Sequence, residues 1–195
     1  MVDGSGWSPV NMAVDTDNVE ILEILIDKGG NLNTTINGSS NMTQLNYAIN
    51  KGNQDVIRLM VEKGANVNLI DNNGLTPLSL AIDRDRIEIA KLLVANGANP
   101  NLMVGTGESP LTIAVLKQRL EMAKFLVENG AKINAPDADG YLPLHDTVTT
   151  SGAKMMKYFL QIGAPLNLRN IVGNNAMEEV LRSKNQYALK MLFLI

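Results

Sequence analysis

One short motif returns along this chain at a fixed interval. A period of roughly 20–50 residues limits the fold to stacked copies of one small unit. Gly74-Leu75-Thr76-Pro77-Leu78-Ser79-Leu80-Ala81 recurs 33 residues later as Gly107-Glu108-Ser109-Pro110-Leu111-Thr112-Ile113-Ala114. After 33 more it returns as Gly140-Tyr141-Leu142-Pro143-Leu144-His145-Asp146-Thr147. Weaker copies, Gly6-Trp7-Ser8-Pro9-Val10-Asn11-Met12-Ala13 and Asn41-Met42-Thr43-Gln44-Leu45-Asn46-Tyr47-Ala48, lie 35 residues apart, the extra two falling in 34–40. A second element keeps the phase: Lys28-Gly29-Gly30-Asn31-Leu32-Asn33, Lys63-Gly64-Ala65-Asn66-Val67-Asn68, Asn96-Gly97-Ala98-Asn99-Pro100-Asn101, Asn129-Gly130-Ala131-Lys132-Ile133-Asn134 and Ile162-Gly163-Ala164-Pro165-Leu166-Asn167. Five copies in phase exclude coincidence.

The residues explain why each copy forms a helix pair. Thr76 is placed to cap the free amides of a helix start, and Pro77 takes the first helical position, where no amide hydrogen is needed. Leu78 and Ala81 face one way, and the small Ala81 admits a neighbouring helix. A break falls at Asp85 and Arg86. A second helix runs near 87–96, with Ile89, Leu92 and Leu93 on one face, and stops at Gly97. Each copy is too short to bury its own apolar face, so neighbours must supply the missing surface. On the outer helix, Asp55 and Arg58, Glu88 and Lys91, and Glu121 and Lys124 place opposite charges three apart on a solvated back.

The T-P-L-H-x-A pattern carried by Thr76 to Ala81 and its copies, with the G-A-x-x-N elements, resembles the ankyrin-repeat family over nearly the whole chain. The resemblance implies an all-α ankyrin-repeat solenoid of about six helix-turn-helix units with β-hairpin loops. It forms one domain over 1–195, with repeats at approximately 3–35, 36–70, 71–103, 104–136, 137–169 and 170–195. The first and last copies drift from the pattern, as terminal repeats do.

Composition removes most other classes of function. With 45% hydrophobic and 19% charged residues, the chain has the balance of a protein with a packed core. Its net charge of −3 offers no excess of cations for nucleic acid. The absence of Cys and the single His exclude disulfides, thiolate chemistry and zinc sites built on Cys or on paired His. No apolar run reaches the roughly 18 residues of a membrane span, and no secretory signal opens the chain. A reducing, cytoplasmic compartment is expected, or the interior of a host cell if the chain is a secreted effector, and a monomer.

No catalytic constellation survives the residue inventory, so no enzyme activity, cofactor or metal is expected. His145 stands at the His position of the signature and is read as a structural hydrogen-bonding residue. Gly4-Ser5-Gly6 and Gly105-Thr106-Gly107 are turn glycines, short of a phosphate-binding loop. Asp137-Ala138-Asp139-Gly140 lacks the frame of a calcium loop and is read as a repeat hairpin. Asn33, Asn37 and Asn41 head three glycosylation sequons expected to stay unmodified in an intracellular chain. In the family the Asn closing G-A-x-x-N is also a hydroxylation substrate, which the resemblance extends to Asn68, Asn101 and Asn134. The simpler reading is an Asn that bonds its own hairpin.

The expected function is recognition of a protein or peptide. The resemblance places the binding surface on hairpin tips and inner helices. The phase then selects Trp7, Met42, Leu75, Glu108, Tyr141 and Asn174, which immediately precede the cap position. Four of them are large and apolar or aromatic, and form either an apolar strip open to a partner or side chains folded against the next hairpin. At the ends of the inner helices the row Lys51, Arg84 and Lys117, with Asp83 beside it, is expected to be a cationic ladder or a solvated face. The anchors singled out are Trp7, Met42, Leu75 and Tyr141, with Asp83, Arg84, Glu108 and Lys117 setting charge. The apolar ending Met191-Leu192-Phe193-Leu194-Ile195 raises two alternatives: a segment of something longer, or a last helix buried against repeat five. The alternative to a free binding module is the targeting or regulatory arm of a larger protein, such as a secreted bacterial effector, an enzyme or a channel.

Overall fold

A computed structural model describes residues 7–36, 42–149, 153–183 and 189. Gly4 to Gly6, Asn37, Asn41, Thr150 and the 191–195 ending lie outside the described residues. The described part is helical. Six repeats contribute inner helices α1 (Pro9–Asp15), α3 (Gln44–Lys51), α5 (Pro77–Asp83), α7 (Pro110–Leu116), α9 (Pro143–Thr149) and α11 (Ala176–Ser183). The outer helices are α2 (Val19–Asp27), α4 (Gln54–Glu62), α6 (Ile87–Ala95), α8 (Leu120–Glu128) and α10 (Ala153–Gln161).

The chain divides into two compact units, 1–105 and 106–195. In the first, α1 packs on α2, α3 on α4 and α5 on α6. Inner helix then packs on inner helix and outer on outer, through α1–α3, α3–α5, α2–α4 and α4–α6. In the second, α7 packs on α8 and α9 on α10, while α9 also touches α7 and α11. Leu22, Ile49, Val56, Ile57 and Met60 fill the core of the first unit, and Leu111, Met122, Leu126, Met156 and Phe159 that of the second.

The signature sets each inner-helix start. Ser8, Thr43, Thr76 and Ser109 accept from the backbone amide three residues on, and Pro follows three of them. Thr76 and Ser79 close a reciprocal capping box. Repeat six departs from the signature yet rebuilds the same device: Asn175 Oδ1 accepts from Glu178 N, and Glu178 Oε2 from Asn175 N, each at 2.9 Å. Gln44 stands where four other repeats have Pro and is fully buried. Its amide nitrogen faces the Asn31 and Leu32 carbonyls at 2.9 and 3.1 Å, and its oxygen the Thr34 hydroxyl at 2.9 Å.

The expected hairpins are tighter than β-hairpins: among the described residues there is no strand, only isolated bridges Thr35–Thr43 and Arg169–Asn175. Too few residues separate the arms for a ladder, and at three of the turns a side chain adds the closing bonds. Asp71 Oδ1 accepts from Asn73 N and Leu75 N at 2.9 and 3.0 Å, Asp137 Oδ1 from Tyr141 N at 2.8 Å and Asn170 Oδ1 from Asn174 N at 3.0 Å.

Asparagines join neighbouring repeats. Asn33 Oδ1 accepts from Asn66 N at 2.7 Å, and Asn68 Oδ1 from Asn99 N at 2.8 Å. Asn68 also donates to the Gly97 carbonyl at 2.8 Å. At Asn68 the Asn of the G-A-x-x-N element therefore bonds the next repeat, where the sequence suggests a bond within its own hairpin.

The link between paired helices requires a left-handed residue, supplied by Asp17, Asp85 and Gln118 at φ of 55, 56 and 57° and by Gly52 at 98°. Gly52 has a second reason to be glycine. A β-carbon there meets the Arg86 guanidinium at 2.7 Å, and that group donates to the carbonyls of Ile49 and Asn50 at the end of α3.

Two stability measurements check this reading. Gly52→Ala is expected to cost about 1–2 kcal/mol in urea unfolding, from the strained φ and the displaced Arg86. Asn68→Ala should cost about 1 kcal/mol, and Asn68→Asp less, since Asp keeps the acceptor for Asn99 and loses only the donor.

Candidate functional site

The inner helices and turns of each unit hold every position singled out from the sequence. In the first unit Trp7, Met42 and Leu75 are half-buried, as are Glu108 and Tyr141 in the second. The backbones of Leu75 and Tyr141 close the turns begun by Asp71 and Asp137, which fixes where their side chains emerge. Glu108 accepts from the Thr106 hydroxyl.

Trp7 does not stand alone. Its ring meets that of Tyr47 edge to face at 5.9 Å between centroids. Tyr47 in turn donates through its hydroxyl to Asp15 Oδ1 at 2.6 Å. Lys51 reaches the same carboxylate at 3.2 Å and also donates to the Asp15 carbonyl. The phenol's bond lowers the Asp15 carboxyl below its ordinary range, and the same bond pushes Tyr47 up to about 12. The segment just before α1 and helix α3 thus present a fixed aromatic pair with a charged neighbour.

Sequence reasoning left Tyr47 out, although it occupies the x of T-P-L-H-x-A. Two apolar residues hold that position in later repeats, Leu80 and Ile113, and both are buried. A tyrosine there was the signal.

The expected cationic ladder is of mixed sign in the first unit. Lys51 shares its place with Asp15, and Arg84 Nε lies 3.9 Å from Asp83 Oδ2. Arg84 and Lys117 are exposed. On the outer helices, Glu88–Lys91 and Glu121–Lys124 close at 2.7 and 2.9 Å.

His145 is buried, with Nε2 3.1 Å from the Asn174 carbonyl, so it donates there as the neutral Nε2–H tautomer. Burial lowers its pKa and favours that neutral form. Asn46, at the same signature position in repeat two, does the same work, donating to the Leu75 carbonyl at 3.0 Å and to Asp71 Oδ2 at 2.8 Å.

Next to His145, Asp146 occupies the Tyr47 position and is buried. Burial, together with the charges of Asp137 and Glu108, pushes its carboxyl up to about 7. Among the described residues no group of three or more His, Asp or Glu converges to hold a metal ion. None of the helices described is long and apolar enough to cross a membrane.

Capped helix pairs repeating in register, closed by short side-chain-bonded turns, define a repeat scaffold. A family model described as ankyrin repeats in three copies matches residues 10–104, 64–137 and 103–170, and the chain belongs to that family. Ankyrin repeats are generally protein–protein interaction modules, and the family is typically non-catalytic. No curated protein sequence matches the chain.

The raised Asp146 pKa fixes a pH dependence. A folded value near 7 against 3.8 unfolded means that the native state holds the proton more tightly. Its contribution is present below about pH 4 and is lost as pH rises towards 7. Asp146→Asn should therefore flatten the melting profile over that window and stabilise the protein at pH 8 by about 1–3 kcal/mol. Thermal melts of both proteins from pH 5 to pH 8 check it.

Proposed function

We propose that this chain is a non-catalytic binding module that takes a protein partner on its inner-helix and turn surface. The supporting observation is the Trp7–Tyr47 pair, held by Asp15 and only partly covered, with Tyr47 at the position where repeats three and four carry the buried aliphatic residues Leu80 and Ile113. Trp and Tyr dominate the energetics of protein recognition because they offer large rigid area at small entropic cost, and a ring already fixed loses little on binding. Met42 and Leu75 supply apolar contact at the turns of the same unit, and Asp83 and Arg84 set charge beside them. In the second unit Tyr141, Glu108 and Lys117 play the corresponding parts.

The test compares partner affinity of the native chain with that of Trp7→Ala and of Met42→Ser with Leu75→Ser. Each variant is first shown to melt like the native protein. Loss of about tenfold or more in affinity at Trp7→Ala is expected, consistent with a hot-spot aromatic. Asp55→Ala, on the exposed outer helix α4, should leave binding unchanged. A partner bound equally by native and Trp7→Ala chains would move the site elsewhere.

A further inference from the structure

The seam between outer helices α4 and α6, both in the interior of the first unit, departs from the repeating rule at three positions. The neighbouring seam, α2 against α4, is closed by charge: Lys63 reaches Glu23 at 3.2 Å and Asp27 at 2.7 Å. One repeat on, the same positions hold Asn96, Arg58 and Glu62. Asn96 turns back to donate to the Leu92 carbonyl of its own helix at 2.8 Å, and among the described residues no ion pair joins α4 to α6. Arg58 is left open along its own helix as well. Glu88–Lys91 and Glu121–Lys124 close at 2.7 and 2.9 Å, but Asp55, one methylene shorter, forms no ion pair with Arg58. Finally, Ala95 stands where α2, α4 and α8 carry Asp27, Glu62 and Glu128, so a carboxylate is missing from this seam.

The three departures meet at a groove of about 300 Å³. Its floor is apolar, formed by the buried Ile57 and Ile89 and the half-buried Leu92, with Ala95 exposed beside them. Its one carboxylate, Glu88, is held by Lys91, which leaves the exposed Arg58 guanidinium in its wall as an uncompensated cation. A second hollow, of about 360 Å³, shares Glu88 and Ile89 with the first and adds Lys51 and Arg86 against the single carboxylate of Asp85.

We propose that the α4–α6 seam is a second docking surface, which takes an acidic, aliphatic segment of a protein partner. A carboxylate of that segment meets Arg58, and an aliphatic side chain rests on Ile57, Ile89 and Leu92. Charge decides between an acidic and a basic occupant: the wall offers a free guanidinium, whose fork of donors matches a carboxylate, and the acid found in other repeats has been removed. Size decides between a side chain and a cofactor, since the groove lies at the bottom of the roughly 300–1,000 Å³ range of ligand pockets. The flanking helices have nine residues each. That length, about 13 Å, lets two turns of an amphipathic helix lie along the seam. The aromatic pair of Trp7 and Tyr47 takes no part, so this surface and the inner-face reading stand or fall separately.

A library of random displayed peptides, selected on the native chain and counter-selected on Ala95→Glu, tests the proposal. Ala95→Glu restores the acid that α4 and α8 carry and closes the groove to anions. Peptides that bind the inner face recognise both proteins and drop out. The survivors should carry Asp or Glu beside Leu, Ile or Val. Titrated into the labelled native chain, they should shift the backbone amides of 54–62 and 87–95. Arg58→Ala should weaken them by about threefold or more, as the loss of an exposed charge contact does, and added salt should act in the same direction. Both substituted side chains are exposed, and if a melt shows either variant unfolding early, Ala95→Gln and Arg58→Gln replace them. No peptide that discriminates native from Ala95→Glu overturns the proposal. So do survivors that are basic, that bind Arg58→Ala as tightly as the native chain, or that shift amides elsewhere.

Discussion

Burial of apolar side chains between neighbouring repeats is the interaction on which the rest of this structure depends. Helices of seven to nine residues are far below the length at which a helix persists by itself in water. One pair does not rescue them, because two such helices cannot enclose a core. Within the first unit Ile49, Val56, Ile57 and Met60 are fully buried, and each helix pair packs on the next. Stability is accordingly a property of joints rather than of repeats.

Hydrogen bonds then fix the register of those joints. The fourth position of the signature decides how. Where it holds a long donor, the side chain crosses to the next repeat, as Asn46 does to Leu75 and His145 to Asn174. Where it holds a short hydroxyl, as Ser79 does, the side chain cannot reach and turns back to cap its own helix. The sole histidine is thus explained by length and donor geometry, without chemistry. Asn33 and Asn68 add a second row of crossing bonds at the turns between outer helix and next repeat.

Against that frame, the fifth signature position is where the repeats differ in kind. Leu80 and Ile113 follow the apolar rule. Tyr47 breaks it and gains a carboxylate partner, which orders the Trp7 ring beside it. Asp146 breaks it too, and desolvation raises its pKa because a carboxylate has been placed where an aliphatic side chain would pack. Departures from a repeating rule that cost stability are the positions at which binding surfaces are most readily sought.

Much of this was readable before any coordinates. The 33-residue phase, the Ser/Thr caps with their following Pro, and the glycines ending each outer helix are local features, so sequence alone determined the helix boundaries and the family. Repeat six was also legible in part, since Asn175 and Glu178 keep the spacing of a capping box. What sequence could not supply were relations across repeats. The Trp7–Tyr47–Asp15 cluster joins residues 32 apart or more along the chain, and the crossing asparagines bond backbone that sequence proximity does not suggest. The mixed sign at Lys51 was hidden for the same reason: Asp15 meets Lys51 only after α1 and α3 pack. Periodicity specifies the unit, because capping and helix formation depend on neighbours in the chain. Only the tertiary structure decides which side chains meet between units of the repeat and which apolar faces remain uncovered, because those depend on what the stack places opposite them.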